Sequence, residues 1–336
     1  MLLVSWAGSC LATCSKLIRE ALQVSLILFK IMIPILILVR LLQELGWIAY
    51  LALPLEPLMG LVGLPSEMGL VWATALVNNI YGGAVVFLSL APEHSLSVAQ
   101  VTVLCTLILV AHALPVEVKI AQEAGTRFIF QALMRICGAL ILGFILHAVY
   151  SLTGWLQQES ALFWQGGINP RPGLGQWALE QLRNLGFIFC IILALIALMR
   201  ILNRLRITEL LVWLLKPLLR FLGIGKEAAP LTIVGMTMGL TYGGGLIIHE
   251  AKSGRVQPKD VFASLTLMGL THSLIEDTLL MLMLGGHLSG ILFARLIFSL
   301  LLIALLVRCL PRLSKTFVHR FLFKLPEGAK TAPNSS

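Results

Sequence analysis

Two histidines, each followed five residues later by a carboxylate, carry the sharpest chemistry in this chain. The first group is His112 with Glu117, and the second is His272 with Glu276 and Asp277. An imidazole beside a carboxylate can relay a proton, hydrogen-bond a solute or coordinate a cation, and the donor set suits zinc, manganese or ferrous iron. On a regular helix His272 and Glu276 share a face and are expected to converge on one ligand. His112 to Glu117 and His272 to Asp277 stand about 140° apart round such a helix, so a turn must distort for both to meet one atom. Pro115 is the expected cause of that distortion in the first group. The metal-ligating set this predicts is His112, Glu117, His272 and Glu276. The competing role for the same groups is a salt bridge between helices near the end of a span.

Other polar residues recur around these histidines. Glu67 and Glu227 each precede an apolar stretch and are expected to cap a helix N-terminus or to meet a solute or coupling ion. Asn78, Asn79 and Tyr81 in the first stretch correspond to Thr241 and Tyr242 in the second. Neutral donors and acceptors there suit a polar uncharged ligand or the shell of a dehydrated cation. Hydrogen bonding between helices is the alternative use of Asn and Thr in a membrane. Arg135 and Arg295 are expected to pair with the carboxylates. Ionisable groups inside a bilayer are costly to bury and point to function.

The elements that hold these residues are apolar helices. The chain has 336 residues, of which 58% are hydrophobic and 12% charged, against about 25% charged in an ordinary soluble domain. Several apolar runs reach the roughly 20 residues that cross a bilayer as a helix, and runs of that kind exclude a barrel. The net charge of +9 lies in loops and tail, so no nucleic-acid partner is expected. Six scattered cysteines without a CxxC pair point to neither a disulfide framework nor a cysteine zinc site. No cleaved signal peptide is expected. Spans are predicted over residues 22–42, 98–118, 128–150, 184–202, 261–284 and 290–310, with a kink at Pro34.

Residues 66–90 and 228–249 are apolar stretches interrupted by glycines, and they belong to a repeat. At an offset of 160 residues Glu67 matches Glu227, His112 matches His272, Gly125 matches Gly285 and Arg135 matches Arg295. Equivalent loops nonetheless differ in charge. Residues 200–226 hold six Lys/Arg, while residues 40–66 hold only Arg40. Residues 250–260 hold three and residues 91–100 none. If each interrupted stretch is a re-entrant hairpin turning at its Tyr-Gly-Gly, the second half is upside down and every basic loop lies inside, as the positive-inside rule requires. The expected fold is therefore an all-α polytopic membrane protein of two inverted-topology repeats, each with three transmembrane spans and one re-entrant helical hairpin. Its predicted parts are an N-terminal head (1–20), a first repeat (21–155), a periplasmic connector (156–180), a second repeat (181–310) and a basic cytoplasmic tail (311–336).

The residues Gly63-x-x-x-Glu67 and Gly223-x-x-x-Glu227, the glycine-rich stretches and the polar helix with Glu276 resemble the Gate, or nucleoside-recognition, domain. That domain is shared by concentrative nucleoside transporters, the membrane part of ferrous iron transport protein B, and spore maturation proteins A and B. The resemblance covers about residues 20–310. It implies solute-binding roles for Glu67, Asn78, Asn79, Glu227, Thr241 and Glu276. The stretches carry neither the cysteine of the iron branch nor the Gln-Thr-Glu type of hairpin of the nucleoside branch. The expected function is an ion-coupled secondary transporter of a small polar solute, nucleoside-like by resemblance. The alternatives are a divalent-metal permease and a non-transporting membrane partner. The coupling ion would be H+, Na+ or a divalent metal. No enzyme activity and no organic cofactor are expected. The expected setting is the inner membrane, with both termini cytoplasmic, the bilayer as partner and a homo-oligomer as one form.

Overall fold

The computed structural model describes the chain except residues 1, 161–172, 207–209, 211–212, 214, 220–221, 240–244, 246, 252 and 325–336. Among the described residues the chain is helical, with isolated bridges at Ser97–Glu159 and Thr126–Phe323 in place of any sheet. Five helices are long and apolar enough to cross a membrane: Ser15–Glu44, Val98–Glu123, Phe128–Thr153, Leu174–Leu202 and Ser289–Arg312. Burial sorts them. The most apolar part of Val98–Glu123 is 78% buried, whereas that of Ser15–Glu44 is 22% buried. The first therefore forms the centre and the second lies at the periphery. Peripheral helices expose large apolar side chains such as Ile27, Leu182 and Leu301, and exposed apolar surface on that scale needs lipid or protein against it.

Helix α1 (Leu2–Glu44) starts within the segment expected as a separate head and runs unbroken past Pro34. Helices α2 (Met68–Val77) and α3 (Ile80–Leu90) follow. They form a hairpin: a Cβ on Gly83 would lie 2.8 Å from the Cβ of Ala75, whereas eight residues of one continuous helix would separate them by about 12 Å. The reversal is not at Tyr81-Gly82-Gly83, as the glycines suggested. It falls at Asn78–Asn79, where Asn79 is extended and its side chain accepts from Gly82 N at 2.8 Å. Gly82 and Gly83 sit inside α3, and neither has positive φ. Their lack of a side chain lets α3 approach Asn78 and Ala75.

The centre is built from α4 (Val98–Val110), α5 (Leu114–Glu123) and α6 (Phe128–Thr153). A capping box opens α4, with Ser97 and Gln100 satisfying each other's backbone amides. Next come α7 (Leu174–Arg204) and α8 (Ala228–Met238). The spans expected over 98–118 and 261–284 are each two helices, α4 with α5 in the first case, α9 (Pro258–Leu270) with α10 (Glu276–Met283) in the second. A π-helical turn, Ser289–Ala294, leads into α11 (Arg295–Cys309). The reversal expected after α8 lies outside the described residues, and with it Thr241 and Tyr242.

Candidate functional site

Two helix breaks build the site. Between α4 and α5, Ala113 adopts φ 47°, and between α9 and α10, Ser273 adopts the same φ of 47°. This left-handed conformation costs a non-glycine residue about 1–2 kcal/mol, so neighbouring contacts must hold it. A break also leaves the last carbonyls of one helix and the first amides of the next without partners. Buried arginines take the carbonyls. Arg135 donates from Nε to Val110 O at 3.0 Å and from Nη2 to His112 O at 2.9 Å. Arg295 donates from Nε to Leu270 O at 3.1 Å and from Nη2 to His272 O at 2.7 Å. Donors and acceptors in the two sets are each 160 residues apart. The amides reach the preceding apolar helices: Ala113 N donates to Ala75 O at 2.9 Å, and Leu274 N to Met236 O at 2.8 Å. Trp72 Nε1 adds a bond to Ala111 O at 3.3 Å.

These breaks bring the two histidines together. Nδ1 of His112 lies 2.8 Å from Ile108 O, and Nδ1 of His272 lies 2.9 Å from Met268 O. A carbonyl oxygen only accepts, so each Nδ1 carries a proton and donates it. In the neutral ring Nε2 is then a bare lone pair. The two Nε2 atoms face each other at 3.2 Å, with ring centroids 4.9 Å apart. Glu117 Oε1 lies 3.6 Å from His112 Nε2 and 3.2 Å from His272 Nε2. Three electron-rich atoms at these separations repel one another unless a proton or a metal ion lies among them. All three side chains are buried.

The two halves differ at the carboxylates. Glu117 Oε2 accepts from Arg135 Nη1 in a buried ion pair. Asp277 is one methylene shorter and makes no such pair with Arg295. Its Oδ2 instead lies 4.0 Å from His112 Nε2 and 3.9 Å from His272 Nε2. Among the described residues eight buried side-chain atoms lack a hydrogen-bond partner, and four of them belong to this second break: Asp277 Oδ2, Arg295 Nη1, Thr271 Oγ1 and Thr278 Oγ1. Buried polar atoms are normally satisfied, so their clustering marks the place where polar demand remains.

Several expected residues lie elsewhere. Glu276 does not join His272. The helix stops at Leu270 and restarts at Glu276, so the four-residue rule fails, and Glu276 Oε1 accepts from Tyr81 Oη at 3.3 Å. Asp277 occupies the place foreseen for Glu276. Arg295, expected to pair with a carboxylate, donates to two carbonyls instead. Glu67 and Glu227 precede α2 and α8 but make no capping bond, because their backbones are already helical (φ −62° and −73°). Ser66 Oγ donates to Glu67 Oε2 at 3.2 Å, and His94 Nε2 lies 4.0 Å from the same oxygen. Asn79 caps α3, while the buried Nδ2 of Asn78 has no partner. Trp72 was not foreseen. In an apolar run it carries no signal that distinguishes a bonded indole from a lipid-facing one.

Among curated proteins the chain is similar to one named Uncharacterized membrane protein YvoD, from Bacillus subtilis (strain 168). The two are 28% identical over 293 residues, which cover 83% of this chain and 89% of the relative. No protein-family model matches the chain, and no solved structure matches it. With five helices of membrane-crossing length and an exposed apolar periphery, the chain is a helical membrane protein.

Proposed function

We propose that this chain is an ion-coupled secondary transporter of a small polar solute, with its ion site at the paired histidines. One observation carries the reading: two bare Nε2 atoms 3.2 Å apart, contributed by residues 160 positions apart in the chain. His112 and Glu117 come from the first half, His272 and Asp277 from the second. An ion held by both halves is bound tightly only in the arrangement that brings them together, so its binding free energy is coupled to their relative position. That is the requirement for alternating access driven by a gradient.

In this reading the halves are inverted-topology repeats in an inner membrane, with both termini cytoplasmic. The loop charges support it, as do the arginine–carbonyl contacts that recur in each half. The solute class comes from the resemblance to the Gate domain. Tyr81 with Glu276, and the unpartnered Nδ2 of Asn78, supply donors and an acceptor for a neutral polar solute. Reconstitution into proteoliposomes tests the reading. Nucleosides and similar solutes should accumulate under an imposed gradient of protons, sodium or a divalent metal ion. His112→Ala and His272→Ala should abolish the gradient dependence, while His147→Ala should leave it intact. Gradient-driven uptake that survives both histidine substitutions would place the coupling elsewhere, and no uptake of any solute would sink the proposal.

A further inference from the structure

We infer that His112, His272 and Glu117 form a binding site for a divalent transition-metal ion, with Asp277 as the adjoining fourth donor. The inference deepens the transporter reading by naming the class of ion, and its role in transport rests on that reading; the binding itself does not. The distances set the ion. A tetrahedral metal with ligands at about 2.0–2.1 Å has donor atoms about 3.3–3.4 Å apart along each edge. The three edges here are 3.2, 3.2 and 3.6 Å. Asp277 Oδ2, at 4.0 and 3.9 Å from the two imidazoles, stands slightly beyond an edge. It is buried and has no hydrogen-bond partner, an independent sign that something else completes its shell.

Donor type narrows the choice. Sodium, magnesium and calcium prefer shells of oxygen, whereas two imidazoles with a carboxylate suit zinc, iron, manganese or cobalt. The Nδ1–carbonyl bonds on His112 and His272 fix the rings so that Nε2 points inward, the outer-shell arrangement found at metal-bound histidines. A proton between the imidazoles would satisfy two lone pairs and leave Asp277 Oδ2 unmet. Charge also permits a cation. Three carboxylates (Glu117, Glu276 and Asp277) stand against two guanidinium groups (Arg135 and Arg295), so with neutral imidazoles and all three carboxylates ionised the group carries one net negative charge.

The test uses the full chain purified in detergent, with Zn2+ and Co2+ as probes. Equilibrium dialysis should find one saturable Zn2+ per chain, and Co2+ should give the intense visible absorption of a tetrahedral nitrogen–oxygen site. Loss of an outer-shell partner of a metal ligand costs about 10–100-fold in affinity, so removal of a ligand itself by His112→Ala or His272→Ala should weaken Zn2+ binding by at least the upper end of that range, and Asp277→Asn, at the more distant donor, by about the lower end. His147→Ala should bind as the parent does. His272→Gln, accepted only if its elution profile matches the parent, guards against loss through misfolding and should also lose the Co2+ spectrum. Equal binding by the parent and by a His112→Ala/His272→Ala double variant, or no saturable binding, would overturn the inference. Binding without any uptake would instead defeat the transporter reading alone. Gradient-driven solute uptake with no metal binding would defeat only the metal.

Discussion

At the scale of single residues, the two central arginines are equally buried but differently occupied. Arg135 spans two carbonyls and Glu117, whereas Arg295 spans two carbonyls and has a free Nη1. One methylene makes the difference, because Glu117 reaches its arginine and Asp277 does not. Removing one partner of a buried ion pair costs about 3–5 kcal/mol. Glu117→Gln is therefore expected to lower the melting temperature in detergent sharply. Asp277→Asn breaks no hydrogen bond and should leave that temperature nearly unchanged; similar losses from both would contradict the asymmetry. Asp277→Glu should reach Nη1 of Arg295 and gain about 1.5–3 kcal/mol, the range for a bond to a charged group. It should at the same time withdraw a donor from the histidines and weaken Zn2+ binding, and a gain in affinity would count against Asp277 as a ligand.

At the scale of elements, the α2–α3 hairpin decides where the first break can sit, because Ala75 O receives Ala113 N and Trp72 receives Ala111 O as its acceptor. Anything that parts the arms should loosen the site. A Cβ on Gly83 would meet Ala75 at 2.8 Å and Val71 O at 3.4 Å, so Gly83→Val should cost about 1–3 kcal/mol through overpacking. Asn79→Ala removes the cap of α3 and should cost about 1 kcal/mol. Gly60→Ala, inside a short helix with nothing within 4 Å, is the control and should cost nothing or gain up to about 1 kcal/mol. Thermal melting followed by circular dichroism ranks the three, and a Gly83→Val protein as stable as Gly60→Ala would show that the arms are not in close contact.

At the scale of the whole molecule, the proposed inversion of the two halves sets which face of the membrane each loop meets. Ser95 and Ser253 are both exposed, the first in loop 91–97, which holds no Lys or Arg, and the second in the basic loop 250–260. In chains lacking the six native cysteines, Ser253→Cys is expected to react with an impermeant thiol reagent only from the cytoplasmic side. Ser95→Cys should react only from outside. Labelling of both from one side would mean that the halves run parallel and that the basic loops break the charge rule.

Membrane character, the doubled polar signature and the pairing of each histidine with a carboxylate were legible in the order of residues. They depend on composition, on apolar run length and on an offset that needs no folding to be counted. What that order could not decide was which groups meet. Helix periodicity joined His272 to Glu276, but it holds only while the helix continues, and the break at residues 271–275 turned Glu276 to Tyr81 and Asp277 to the histidines. Glycines suggested the reversal at Tyr81-Gly82-Gly83, yet they serve close packing, and the chain turns at Asn78–Asn79. The facing of His112 and His272 across 160 residues is a tertiary fact. Spacing along a chain fixes which side chains share a face of one helix, and only the packing of separate helices against one another brings two such faces to a common point.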